Sequence, residues 1–311
     1  MRSPHALLHV TPIMQCIAVA ATSIISLAVQ AIPPGAAAGA PDAVTKRPAI
    51  LGHRGALMFA PENTLAAFLL SLATGTDIEL DVWPTKDGEL AVIHDPRVDR
   101  TTDAKGNVAD LTLAEIKALD AGSWFHPDFA GERIPTLDEA LHFIIRNERR
   151  PTVVAINLKP VNEVVISGVI HAVRETATFD RCFVFDLSLD NAHRFKQAEP
   201  RIRCAASPRT ATDIDKALGE DMIDLIWTGP QPKTVIDRIH AAGKLIYVTI
   251  VNDANQWLRL KADGVDGICT NHPIRMKEAA WPPPADRMWD HYLSPGKRPQ
   301  YQFGPLRKDT P

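Results

Sequence analysis

Cysteine is scarce, with 4 in 311 residues, which excludes a disulfide-dense miniprotein. Cys182, Cys204 and Cys269 each lie inside an apolar run, show no zinc-finger spacing, and read as buried thiols. A surplus of one charge is missing too: 34 Lys and Arg stand against 37 Asp and Glu, a formal net charge of −3. That balance argues against a basic nucleic-acid-binding surface and against a disordered charged tail. With 45% hydrophobic, 23% charged and 6% aromatic residues, the composition is that of an ordinary globular chain.

Long hydrophobic runs are absent except for one. Residues 13–32 are mostly apolar, follow Arg2, and include Val29-Gln30-Ala31, a small-residue cleavage pattern. We read 1–31 as a secretory signal or an N-terminal anchor, and 32–47 as a flexible leader. The expectation is export to the periplasm or beyond, with membrane contact only through this segment if it is uncleaved. At the other end, 280–311 carries Pro282, Pro283, Pro284, Pro295, Pro299 and Pro305 with aromatics between them, a density that forbids a long helix.

Between 48 and 279 one rhythm repeats: a short β-branched run, a loop, then a helical periodicity. The runs fall at 49–53, 77–82, 153–159, 182–185, 202–205, 222–227, 245–251 and 267–270. Helices are predicted near 63–74, 136–148, 162–175, 188–198, 210–219, 231–242 and 254–262, with Asn63 and Thr136 as start signals. One extra run, 89–94, follows too closely for a parallel crossover, and Asp87-Gly88 makes it the return strand of a hairpin. Setting it aside leaves the strand count of an α/β fold, the (β/α)8 TIM-type barrel, with a small insertion after strand 2. A doubly wound sheet is the alternative, but no Gly-x-Gly-x-x-Gly follows any strand.

Barrel chemistry sits at the C-terminal ends of strands. Those places hold His53-Arg54-Gly55, Glu79-Leu80-Asp81, His94-Asp95 and Asn157-Leu158-Lys159. Glu79 and Asp81, two apart on a strand, share a face; Ile78, Leu80 and Val82 claim the apolar layer, so the carboxylates turn into the barrel. Two such acids need an Arg, a shared proton, or a hard divalent cation, Mg²⁺ or Ca²⁺. A lone Glu-x-Asp is more often a solvated strand edge, and either histidine alone is more often structural. Together at one mouth, His53 and His94 suit acid–base work, while Arg54 and Lys159 suit an anionic substrate. With no nucleophile elbow and no His-Glu-x-x-His, the set describes phosphodiester cleavage better than carboxyl-ester hydrolysis.

These residues, with Pro61-Glu62-Asn63-Thr64, Thr85-Lys86-Asp87-Gly88, Arg100-Thr101-Thr102, Ile134-Pro135-Thr136-Leu137 and the stretch from Gly264 to Pro273, resemble the glycerophosphodiester phosphodiesterase family in order and spacing. The resemblance implies a barrel enzyme that hydrolyses glycerophosphodiesters to glycerol 3-phosphate and an alcohol. It implies His53 and His94 as catalytic residues, Glu79 and Asp81 as metal ligands, and Arg54 and Lys159 at the phosphate. Asn157 departs from the family's usual acid at the third metal position; its amide oxygen still suits a hard cation, without the charge. Thr249 stands where the family often has Trp. Two rivals are a lipid phosphodiesterase like lysophospholipase D or sphingomyelinase D, and a catalytically weak phosphodiester-binding protein. The partner expected is a small-molecule phosphodiester, not nucleic acid.

Overall fold

The computed structural model describes residues 47–281. The expected signal or anchor at 1–31, the leader up to residue 46, and the tail beyond Trp281 lie outside the described residues. Among the described residues no helix is long and apolar enough to cross a membrane.

One sheet holds nine strands: β1 (Ala49–Gly52), β2 (Asp77–Pro84), β3 (Leu90–Val92), β4 (Val154–Leu158), β5 (Cys182–Leu187), β6 (Arg203–Ala206), β7 (Leu225–Thr228), β8 (Leu245–Val248) and β9 (Gly267–Thr270). All but β3 pair in parallel, and β1 bonds to both β2 and β9, which closes the barrel. β3 runs antiparallel on the outer end of β2, with Val82 opposite Val92 and Pro84 opposite Leu90. The fold is therefore the expected TIM barrel, with its hairpin where Asp87-Gly88 placed it. The run expected over 245–251 stops at Val248, after which Ile250 is exposed.

The helices are α1 (Leu65–Thr74), α2 (Leu113–Ala118), α3 (Leu137–Asn147), α4 (Glu163–Glu175), α5 (Leu189–Ala198), α6 (Ala211–Leu218), α7 (Lys233–Ala241), α8 (Ala254–Asp263) and α9 (Pro273–Ala280). Most start on a side-chain oxygen that accepts a free backbone N–H: Thr136, Asn162, Ser188, Thr210 and Asp253 all do this. Helix α1 differs from expectation. Its cap is Thr64, because Asn63 adopts a left-handed backbone (φ 58) and sends its side chain to Asp81 instead. Helix α9 was not expected; Pro273 opens it, where a missing N–H costs nothing.

The period-two alternation of the strands divides the interior into two layers. Ile78, Leu80, Val82, Ile156, Leu158, Val184, Ile226, Ile246, Val248 and Ile268 face the helices. Leu51, Ala155, Phe183, Phe185, Ala205, Leu225, Trp227, Tyr247 and Cys269 fill the barrel itself. On the β5–β8 side the filling is aromatic: Trp227 stacks on Phe185 with centroids 4.2 Å apart, and Phe183 lies 5.0 Å from Tyr247. On the β1–β2–β4 side the inward positions end in His53, Glu79, Asp81 and Asn157. The three described cysteines are buried and free. The insertion from the hairpin to residue 135 has a small core of its own, including Ile93, Val98, Val108, Ile116 and Ile134.

Gly267 makes room for the aromatic filling, since a Cβ there would stand 2.4 Å from Tyr247 Cε1. We expect Gly267→Ala to lower stability by about 1–3 kcal/mol through overpacking. Gly229→Ala, where a Cβ meets nothing within 4 Å, serves as the neutral control. Equal urea midpoints for the two variants would show that the barrel absorbs the extra methyl without strain.

Candidate active site

The mouth is built first by the chain leaving β1. Gly55 closes back on Gly52, its N–H donating to the Gly52 carbonyl at 3.0 Å and to the Glu79 carbonyl at 3.1 Å. A Cβ on Gly52 would sit 2.4 Å from the Gly55 oxygen, so the turn needs glycine there. Within it Arg54 is left-handed (φ 51), an uncommon state for a residue with a side chain. The conformation aims the Arg54 N–H at Glu79 Oε2, 2.7 Å away.

Asp81 is the centre of the site and is fully buried. Its Oδ1 accepts from Asn157 Nδ2 at 3.0 Å and faces Lys159 Nζ at 3.0 Å. Its Oδ2 accepts from Asn63 Nδ2 at 2.9 Å, with Arg54 Nε at 3.6 Å. Burial works to raise the Asp81 pKa, but Lys159, His94, Asn63 and Arg54 outweigh it and hold the carboxyl below its ordinary value. Glu79, also buried, moves the other way. Burial first, and then the neighbouring Asp81 charge, push its pKa well above the usual carboxylate range. Two buried acids side by side need compensation, and Lys159 and Arg54 provide it on the Asp81 side.

Both histidines lie close enough to Asp81 to feel its charge. His53 is pinned through Nδ1 to Asn271 Oδ1 at 2.7 Å. Burial, followed by the Arg54 charge, lowers its pKa to about 4. The Asn271 oxygen accepts the Nδ1 proton, which leaves Nε2 with a free lone pair. His94 is half-buried; its Nδ1 contacts Asp95 Oδ1 at 2.6 Å, and its carbonyl accepts from Trp83 Nε1 at 2.9 Å.

The structure thus brings His53, Arg54, Glu79, His94, Asn157 and Lys159 around the Asp81 carboxylate. It adds residues that the sequence reading had not assigned: Glu62, Asn63, Asp95, Arg100 and Asn271. Glu62 accepts from Arg54 Nη1 at 2.8 Å and from both terminal nitrogens of Arg100 at 2.8 Å. Asn252 props Asn271 by accepting its backbone N–H at 2.9 Å. Each of these belongs to a motif the resemblance had gathered, but only the folded loops reveal which side chain meets which. Thr249 donates its backbone N–H to the Thr228 carbonyl at 2.8 Å, one residue beyond Trp227 on β7.

Whether a cation fits here turns on Asn157. Its Nδ2 serves Asp81, while its Oδ1 is buried with no hydrogen-bond partner among the described residues. An orphaned carbonyl-type oxygen beside two buried carboxylates is a hard-cation donor set. No group of three or more His, Cys, Asp or Glu suited to a metal occurs among the described residues, and the third oxygen donor here is the Asn157 amide. Glu79, Asp81 and Asn157 therefore fit a divalent cation of the Mg²⁺ or Ca²⁺ type.

Comparison with known proteins places these features in one family. The glycerophosphoryl diester phosphodiesterase family matches residues 53–275. The chain is 36% identical over 234 residues to YhdW of Bacillus subtilis (strain 168), covering 72% of this chain and 94% of that protein. It is 33% identical over 240 residues to the glycerophosphodiester phosphodiesterase of Bacillus altitudinis, covering 73% and 95%. An Oleispira antarctica phosphodiesterase solved in complex with the product sn-glycerol-3-phosphate is 27% identical, with a TM-score of 0.67 over 75% of this chain and 96% of that one. The glycerophosphodiester phosphodiesterase from Agrobacterium tumefaciens str. C58 is 32% identical, with a TM-score of 0.65 over 75% and 100%. By its matched residues and its relatives, this chain belongs to the glycerophosphoryl diester phosphodiesterase family.

Proposed function

We propose that this phosphodiesterase hydrolyses glycerophosphodiesters to glycerol 3-phosphate and an alcohol, with His53 accepting a proton and His94 donating one. The observation that carries the division of labour is the different setting of the two rings. His53 is enclosed beside Arg54 and neutral at pH 7, and its Nδ1–H donates a hydrogen bond to Asn271 Oδ1, so Nε2 can take a proton from the attacking nucleophile, water itself or a substrate hydroxyl whose cyclic phosphate water then opens. His94 is more open and holds Nδ1 against an ionised Asp95, whose pKa falls to about 2 because Arg100 and His94 outweigh its burial. With Nδ1 held by that carboxylate, the ring directs its other nitrogen outward, where it can deliver a proton to the leaving alkoxide as the P–O bond breaks.

Arg54 and Lys159 sit beside Asp81, and in this reading they present positive charge to the substrate phosphate, Arg as a fork and Lys as a point charge. A divalent cation held by Glu79, Asp81 and Asn157 would supply further charge against the non-bridging oxygens. The lipid-directed reading has one observation in its favour: Met58 and Phe59, on the loop after β1, are 37% and 42% exposed at the mouth. Turnover of lysophosphatidylcholine above that of glycerophosphocholine would move the assignment to that reading.

In a coupled assay for glycerol 3-phosphate, His53→Ala and His94→Ala should each lower turnover by roughly 10²-fold or more. A near-wild-type rate in either variant removes that histidine from the mechanism. Nitrogen NMR of the imidazoles at pH 7 should find His53 as the neutral Nδ1–H form. Burial and the Arg54 charge make His53 protonate as pH falls through about 4 rather than near 6.5, and the acceptor lone pair is lost below that point; a charged His53 at pH 7 refutes its role as acceptor. For the cation, Asn157→Asp adds a charged donor and should lower the half-saturating Mg²⁺ or Ca²⁺ concentration by roughly tenfold. An unchanged metal titration means residue 157 does not touch the ion.

A further inference from the structure

A chain of hydrogen bonds runs from His94 away from the reacting centre and back to it. Asp95 Oδ1 accepts from His94 Nδ1 and its Oδ2 accepts from Arg100 Nε, each at 2.6 Å. Arg100 then spends Nη1 on Glu62 Oε2 and Nη2 on Glu62 Oε1, both at 2.8 Å. Glu62 also holds Arg54. One guanidinium therefore spans two carboxylates from different parts of the chain, Asp95 in the insertion and Glu62 in the loop after β1.

Exposed ion pairs usually contribute little. This one is different in geometry: the fork meets Glu62 bidentately, all three of its nitrogens are engaged, and the Glu62 side chain is only 9% exposed. The backbone on either side of Arg100 is also fixed. Val98 is fully buried in the insertion's core, Thr101 and Thr102 are buried, and Thr102 Oγ1 donates to the Val98 carbonyl at 2.8 Å. His94 has a fixed backbone too, with Ile93 N–H donating to the Asp81 carbonyl at 3.0 Å. What is left undetermined is the direction of the His94 ring, and Asp95 sets it. Asp95 is itself partly exposed, so without Arg100 its carboxylate is free to turn toward water.

We propose that Arg100 is a positioning residue for the proton donor, holding Asp95 against His94 Nδ1 by anchoring it to Glu62. This rests on the reading of His94 as the group that protonates the leaving alcohol. The effect is selective. A leaving group that departs without a proton has no need of an aligned His94, whereas an alkoxide does.

The test uses Arg100→Gln and Arg100→Lys, each checked for a retained melting transition, against two substrates. Glycerophosphocholine has a poor leaving group; bis(4-nitrophenyl) phosphate has a good one. Both variants should lose about tenfold or more in kcat on glycerophosphocholine, with KM within about threefold and the aryl ester changed by less than about threefold. Lys keeps the charge but cannot span both carboxylates, so it should not rescue. Wild-type kcat in Arg100→Gln, full rescue by Lys, or an equal loss on both substrates would overturn the proposal; equal loss is what a merely structural role produces. His94→Ala run alongside separates the two levels. If it leaves glycerophosphocholine turnover intact, the underlying assignment of His94 fails; if it abolishes turnover while the Arg100 variants do not, only the positioning role fails.

Discussion

A buried carboxylate that must remain charged organises this molecule. Asp81 has no solvent to stabilise it, and an ion in such a place is tolerated only with partners on its oxygens. Lys159, Arg54, Asn63 and Asn157 are those partners, and they come from the ends of two strands, β1 and β4, and from the loop after β1. Removing one partner of a buried pair typically costs about 3–5 kcal/mol, because the remaining charge is stranded. The local backbone follows from that need. Arg54 and Asn63 both take left-handed conformations, one aiming its amide at Glu79 and the other its side chain at Asp81.

The barrel separates this charged region from an apolar one. Inward positions on β5, β7 and β8 carry Phe183, Phe185, Trp227 and Tyr247, which pack against one another. They are wide enough to fill their side of the interior, so the polar side chains of β1, β2 and β4 collect at the other side. Phe185 is the register neighbour of Asn157, which puts the aromatic wall directly beside the carboxylate cluster. Low dielectric next to the acids is what pushes Glu79 up and makes every charge around Asp81 count for more.

The insertion after β2 extends this arrangement outward. Its own small core gives it rigidity, and an antiparallel bridge from Ala91 to Thr136 and the ion pairs of Arg100 tie it to the barrel. His94 enters the site from this element rather than from a barrel strand. One ring is therefore enclosed in the barrel wall and the other is carried on an added hairpin, which is why the two have different surroundings.

Much of this was written in local pattern. Period-two runs broken by turn residues specify strands, and Asp87-Gly88 after Val82 leaves no room for anything but a hairpin, so the barrel and its insertion follow from the chain alone. The inward aim of Glu79 and Asp81 follows as well, since Ile78, Leu80 and Val82 must face the helices. The partners are another matter. Asn63 reads as a helix cap, and only the folded chain shows that Asp81 draws its side chain away. Glu62 with Arg100, and His53 with Asn271, are contacts across 38 and 218 residues, settled by loop geometry and packing that no local periodicity encodes. Sequence determined which chemical groups reach the mouth, because alternation and strand ends are local properties. Tertiary structure decided which of them share a proton or a charge, because electrostatic and hydrogen-bond energies depend on distances that exist only after the barrel has closed.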